Sequence, residues 1–421
     1  MTTETKGFQQ KHVFWIVVSL AVLGQIAWGL ENAWFNTFTY DEITTNTQPI
    51  AIMNGASAIV ATVTTFYMGT LSDRAGKRKP FILWGYILWG ISTAAFYICK
   101  FFPGVFLQCM MVVIMDCVMT FFGSTAYDSC FNAWTTDISN ETNRGKITAI
   151  VQIAPLISGV ILSFAGAVID RFGYAMFFIS IGALVSLTGL IAGSRMQDAN
   201  NLKPNQEDNQ EGVWKQIFGA FQLQTFRANP KLFLVLASIC ILLCGFQVSY
   251  AYEMIFANNY LGISKTYATL LTAAGLPVMV IASIWTGKVC DSGKGIKALW
   301  IAPLLFVLGA LLHGMTKNII LILAARALLY GGWMSMTVAA TAMFKNLIPA
   351  DSHGRFEGMR MIFMVMIPMI IGPEIGSLLI NAQDVSPIIY IVSGIVAALA
   401  YLPVAKLAKM KKTASEKDSV K

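Results

Sequence analysis

Six ionisable side chains stand inside long apolar runs of this sequence: Glu31, Asp116, Asp128, Glu253, Arg326 and Glu374. A charge at the centre of a lipid-embedded helix costs about 2.5–3.5 kcal/mol on insertion scales, so each is a candidate for pairing, for binding a cation, or for touching a polar ligand. A carboxylate without a cationic partner at such depth is a seat for a proton or a small cation. Around these charges lie Gln25, Asn32 and Gln247, whose amides can bond hydroxyl groups. Trp28 and Trp333, with Trp34, Tyr127, Trp134, Tyr250 and Tyr252, offer flat faces on which the ring of a polar solute stacks. The plainer alternatives stay open: interfacial carboxylates bonded to amides such as Asn36 and Asn258, a structural ion pair, and aromatics that only pack or anchor at the bilayer surface.

The elements that hold these residues are set by composition. Of 421 residues, 56% are hydrophobic and only 12% charged, with a mean hydropathy of +0.62. A soluble domain is about a quarter charged, so this chain reads as one whose solvent is mostly lipid, and most soluble-enzyme functions are excluded. A helix needs about 20 apolar residues to cross roughly 30 Å of hydrocarbon. Twelve such stretches are predicted, at 13–37, 50–71, 80–99, 104–136, 146–169, 174–194, 230–258, 264–286, 297–315, 318–346, 358–380 and 385–406. The fourth and tenth are too long for one crossing and too short for two, and are expected to continue as helices into the cytoplasm. The first has no small-residue cleavage signal before Glu31 and is read as a retained span. The fold class is therefore an all-α membrane protein. A six-helix bundle over 1–194 is joined by a polar linker over 195–229 to a second bundle with a tail over 230–421. The linker's later part, Val213 to Phe226, is patterned either as an amphipathic surface helix or as a disordered loop.

Charge placement gives the orientation. The outer loops hold only Lys100, Arg171, Lys265 and Lys317, Arg326 is inside a span, and the rest of the 30 basic residues fall on one side, which predicts both termini in the cytoplasm of a cell membrane. The sequon Asn140-Glu141-Thr142 then lies inside and stays unglycosylated. The net charge of +8 is dispersed in short loops, so nucleic acid is not expected as a partner. The seven cysteines form no CxxC, and a disulfide frame, metal site or cofactor is not expected. Counted along the helices, Asp116 falls near the midplane, Glu31, Glu253, Arg326 and Glu374 nearer the outer face, and Asp128 toward the cytoplasm. Glu374 follows Pro373, where a helix loses a hydrogen bond and can flex.

After the second span the sequence reads Gly69-Thr70-Leu71-Ser72-Asp73-Arg74-Ala75-Gly76-Lys77-Arg78. Gly69 permits close helix approach, Asp73 can accept from a helix N-terminus or an Arg, Gly76 allows a left-handed turn, and Arg74, Lys77 and Arg78 sit at the anionic inner leaflet. A degenerate copy, Gly287 to Lys294 with Asp291, follows the eighth span. The loops with Asp137 and Arg144, and with Asp351 and Arg355, also correspond, as do Glu31 with Asn36 and Glu253 with Asn258. Echoes in the same order mark two related halves.

The ten-residue loop resembles the signature of the major facilitator superfamily, G-x-x-x-D-R-x-G-[RK]-[RK], at every fixed position. The following Gly76-Lys77-Arg78-Lys79-Pro80-Phe81-Ile82-Leu83 is similar to the corresponding loop of the glycoside, pentoside and hexuronide cation symporters and the sucrose transporters. That resemblance implies the major facilitator fold, with the first, fourth, seventh and tenth helices lining a central cavity, each charged in this chain. It implies a monomeric carrier that moves a small polar solute, such as a sugar or glycoside, by symport with H⁺ or Na⁺, the halves rocking about a midplane site. Asp116 is the first choice for the coupling residue, with Glu31 and Glu253 behind it. Asp116 and Arg326 occupy nearly equivalent places in the two halves and are expected to face each other as a pair. Rival readings are a proton-coupled exporter of amphipathic compounds, for which Ala154 to Gly159 supplies only fragments of the usual glycine motif, and a non-transporting sensor. No motif of hydrolytic or phosphate chemistry is present, so an enzyme is not expected.

Overall fold

The computed structural model describes residues 3–139, 143–199, 202, 227, 229–348, 359–381 and 384–418. Twelve helices among them are long and apolar enough to cross a membrane: His12–Glu42, Gln48–Ala75, Lys79–Phe101, Val105–Asp137, Arg144–Leu162, Ala165–Gly193, Pro230–Asn259, Lys265–Asp291, Gly295–Met315, Ile319–Leu347, Met359–Ser377 and Ile388–Met410. They are called spans 1 to 12 below. The sequon 140–142, Asp351, Arg355 and nearly all of the expected linker, including its amphipathic stretch, lie outside the described residues.

Local chemistry sets the ends of the spans. Pro49, Pro80 and Pro230 stand in the first turn of their helices, where the missing N–H costs nothing. Gly76 ends span 2 at φ 60°, ψ 32°, and its amide caps the carbonyls of Ser72 and Asp73. Span 6 begins as early as Ala165 because the turn between spans 5 and 6 is tight, and the helical path breaks only at Gly173, with φ 78° and ψ 172°. Spans 1, 4, 6 and 11 each contain a π-helical segment, at Glu31–Phe35, Ser124–Phe131, Gly189–Gly193 and Ile362–Met366. Such widened turns rotate the face a helix presents beyond them. A two-residue antiparallel pairing, Ile380 with Val385 and Asn381 with Asp384, lies between spans 11 and 12.

The chain packs as two compact units, Met1–Val213 with Ser264–Thr269, and Trp214–Ile263 with Leu270–Lys421. In the first unit, span 1 packs on span 5, span 2 on span 4, and span 3 on span 6. A Cβ on Gly90 of span 3 would lie 2.2 Å from the carbonyl oxygen of Gly182 in span 6, so only glycine lets these helices approach. Trp34, Phe35, Phe38, Phe96, Phe131 and Phe178 fill the core of this unit. In the second unit, span 10 packs on spans 8 and 9, and span 7 on spans 11 and 12. Gly332 gives span 10 its close approach to span 9, a Cβ there falling 2.5 Å from the amide of Phe306.

Candidate functional site

In the first unit the charged residues converge at a carboxyl pair. Glu31, at the start of the π-helical turn of span 1, is 6% exposed, and Asp116 of span 4 is 1% exposed. Their carboxyl groups lie against each other, with Ser57 of span 2 beside Asp116. Thr120, one turn after Asp116 on the same face, donates to Glu31 Oε1 at 2.9 Å. Glu31 Oε2 and Asp116 Oδ1 are buried without a hydrogen-bond partner among the described residues, and neither carboxyl forms an ion pair there. Two buried acceptors without a donor among the described residues, from two like charges, are chemically able to hold a proton or a small cation.

Asp128 does not join this pair. It sits in the π-helical segment of span 4 and accepts from Ser124 Oγ at 3.0 Å. Trp28 leans on Trp89, ring centres 4.9 Å apart, and its indole N–H is buried with no acceptor among the described residues. Gln25 donates to the Tyr127 hydroxyl at 3.0 Å. The Asn32 amide is spent locally, donating to the Trp28 carbonyl at 2.7 Å.

In the second unit the arrangement corrects one expectation. Arg326 pairs with Glu253 of its own unit, not with Asp116. Its Nη1 donates to Glu253 Oε1 and, at 2.7 Å, to Thr272 Oγ1. Thr272 in turn donates to Glu253 Oε1 at 2.7 Å, and the Tyr330 hydroxyl donates to Oε2 at 2.6 Å. Glu253 is thus saturated on both oxygens. The Arg326 Nε points at His313 Nε2, 3.4 Å away, which fixes the imidazole as a neutral acceptor on that side. The His313 ring is fully buried and stacks on Tyr390, centres 3.8 Å apart and planes within 17°. Sequence equivalence failed to pair Arg326 because position along a helix gives depth, whereas the partner depends on which way the side chain is turned.

Beside this network, Trp333 stacks parallel on Phe246 at 4.8 Å and 7°, and Phe246 stacks on Tyr250 at 4.7 Å, giving an aromatic stack on spans 7 and 10 with Phe246 buried and Trp333 and Tyr250 half-buried. Gln247 shares that part of span 7 and packs its Cβ over Gly372 of span 11. Glu374 lies two residues on from Gly372, and the preceding Pro373 carbonyl accepts from Tyr252 at 2.8 Å.

The signature loop forms a separate cluster at the other end of span 2. Arg78 is buried and bonds Asp73, Ser72 Oγ and, at 3.0 Å, Asp137. Burial opposes its charge, but Asp137 and Asp73 outweigh that and raise the guanidinium's pKa above its ordinary value. Asp198, just past span 6, accepts the backbone amides of Arg78 and Lys79 at 2.8 and 2.9 Å, capping span 3 from far along the chain. Gly69 faces Ser129 of span 4, a Cβ there falling 3.2 Å from its hydroxyl. Arg74, Lys77 and Arg144 are exposed, as is Asp291 in the second half, where Gly293 repeats the left-handed turn at φ 73°.

Sequence reasoning missed Ser57, Thr120, Thr272, His313, Tyr330 and Tyr390. Thr120 and Tyr330 carried a signal, each four residues after a buried charge and so on its helix face. His313 and Ser57 carried none.

The sugar efflux transporter A of Dickeya chrysanthemi is 26% identical over 313 residues, covering 70% of this chain and 72% of that protein. Among solved structures, a variant of the nucleoside transporter NupG superposes with a TM-score of 0.74 at 11% identity, over 94% of this chain and 99% of that one. The xylose transporter XylE from E. coli does so at 0.68 and 13%, over 93% and 99%. Identities this low show a shared fold alone. The profile of the Major Facilitator Superfamily matches residues 13–258, and with twelve spans and the signature loop intact, the chain belongs to that superfamily: a multi-pass membrane transporter of a small solute, and not an enzyme.

Proposed function

We propose that this transporter carries a small polar solute of sugar-like chemistry by symport with H⁺ or Na⁺, and that the Glu31–Asp116 pair is where the coupling cation sits. The observation that carries the reading is the pair's unmet charge: two buried carboxyl groups, an open acceptor on each, and no ion-pair partner among the described residues. A second negative charge in that dry pocket costs both desolvation and repulsion, and one cation held between the two groups relieves both. A neutralised pair lets the protein pass between states open to either side of the membrane, and an empty pair resists it. Glu253, already neutralised by Arg326, has no such need and serves to hold spans 7, 8 and 10 in register.

The aromatic platform of Trp333, Phe246 and Tyr250 beside Gln247 supports a solute with a ring face and hydroxyl groups, as does Trp28 with its open indole N–H. The sugar efflux relative points the same way, and its name favours a second reading, export, in which the same acid pair drives antiport. The distribution of Lys and Arg supports a cell-membrane location with both termini cytoplasmic, and the carrier is proposed to act as a monomer.

The test is uptake of radiolabelled mono- and disaccharides into proteoliposomes under an imposed pH or Na⁺ gradient, with wild type and Asp116→Asn. Wild type should accumulate one sugar only while the gradient lasts, and Asp116→Asn should equilibrate that sugar without accumulating it. Full gradient-driven accumulation by Asp116→Asn would remove the pair from the coupling role. Accumulation only from the opposite side would select export.

A further inference from the structure

A cavity of about 580 Å³ opens at the outer ends of spans 2 and 4, its lining ending at Ile114, two residues before Asp116 on span 4. Its mouth carries Thr44 and Asn46, in the turn between spans 1 and 2, and Gln48, the first residue of span 2. Its walls are apolar, with Pro49 and Ile52 on span 2 facing Phe106, Cys109 and Val113 on span 4. From Val105 to Ile114 the lining runs about 14 Å at 1.5 Å per residue, along the direction a lipid chain takes. Phe106 is 79% exposed and leaves one side open. In chain order the mouth is flanked by an ion pair: Glu42 ends span 1 two residues before Thr44, Lys100 lies five residues before Val105, and the two bond at 2.9 Å. Neither is strongly buried, so both charges stay within reach of a bound headgroup.

We propose that this groove is a seat for one phospholipid with a zwitterionic headgroup bearing a primary ammonium, of the phosphatidylethanolamine type. One acyl chain lies between spans 2 and 4, the ester region meets Thr44, Asn46 and Gln48, and the headgroup lies over the Glu42–Lys100 pair. The argument has two parts. A long slot that is polar at its membrane-surface end and apolar along its length matches an amphiphile and not a sugar. An adjacent carboxylate and ammonium match a headgroup that carries the opposite charges side by side, phosphate for Lys100 and ammonium for Glu42, each supplying N–H donors or oxygen acceptors to the other.

The test is native mass spectrometry of the full-length protein released from vesicles containing equal parts phosphatidylethanolamine and phosphatidylcholine. Three proteins are compared: wild type, Val113→Trp, which fills the slot, and Ile284→Trp, which adds the same bulk at an exposed position of span 8. Wild type and Ile284→Trp should each retain one phosphatidylethanolamine, and Val113→Trp should retain at least tenfold less. A second measurement needs no filled variant: bimane on Cys109, the other six cysteines replaced by Ser, should be quenched more strongly by chain-brominated phosphatidylethanolamine than by the phosphatidylcholine counterpart. Equal retention by all three proteins, no headgroup preference in either measurement, or occupation only by single-chain detergent would each overturn the proposal.

Discussion

Removing Arg326 while keeping Glu253 leaves a carboxylate buried with only two neutral donors, Thr272 and Tyr330. Breaking a buried pair in this way costs about 3–5 kcal/mol, because the surviving charge keeps its desolvation penalty and loses its compensation. In a unit of this size each kcal/mol moves the melting midpoint by about 2–4 °C, so Arg326→Met should lower it by roughly 6–20 °C. Glu253→Gln should cost a similar amount. It retains a side chain that Tyr330 can still reach but strands a guanidinium whose Nη2 already lacks a partner among the described residues. The double variant removes both charges of the pair and should cost less than the sum of the two single losses, by a coupling of about 2–3 kcal/mol. The assay is the apparent Tm of the purified protein in one detergent, read by loss of the monodisperse peak after heating, for wild type, both single variants and the double. Single variants within about 2 °C of wild type, or a double variant whose loss is the sum of the two, would refute the view that the pair is bound by mutual compensation.

Three further outcomes follow from the glycine environments of the two units and from the cap on span 3. Gly90→Val drives a side chain into the Gly182 carbonyl and the Ser186 hydroxyl and should destabilise by about 1–3 kcal/mol in the same melt, whereas Gly287→Ala, with open space around it, should stabilise by about 0.4–1 kcal/mol. Asp198→Ala removes the acceptor for the Arg78 and Lys79 amides and should cost about 1 kcal/mol, seen as faster hydrogen exchange in the peptide spanning 76–82; unchanged protection there would show that the cap contributes nothing.

The amino-acid sequence alone determined the architecture, for a simple physical reason: bilayer thickness turns run length into a count of spans. All twelve were legible, and most ends fell within a few residues of those observed, because Pro49, Pro80, Pro230 and Gly76 mark them chemically. The exception was the turn between spans 5 and 6. Ser163 and Phe164 make it without any glycine or proline of their own, and Gly173 marked a break that comes later. The signature loop was equally legible, since Asp73, Gly76 and Arg78 act on one another within a few residues.

What only the tertiary structure decided was partnership. Depth in the membrane follows from counting along a helix, but the direction of a side chain about the helix axis follows from packing, and the glycine contacts of Gly90 and Gly332 and the π-helical turns at Glu31 and Asp128 set that rotation. Hence four of the six embedded charges, Glu31, Asp116, Glu253 and Arg326, are buried, and their grouping could not be read from position along the chain. Glu31 turned to Asp116, Arg326 turned to Glu253, and His313 and Ser57 joined the two clusters from helices whose sequences gave no hint of it.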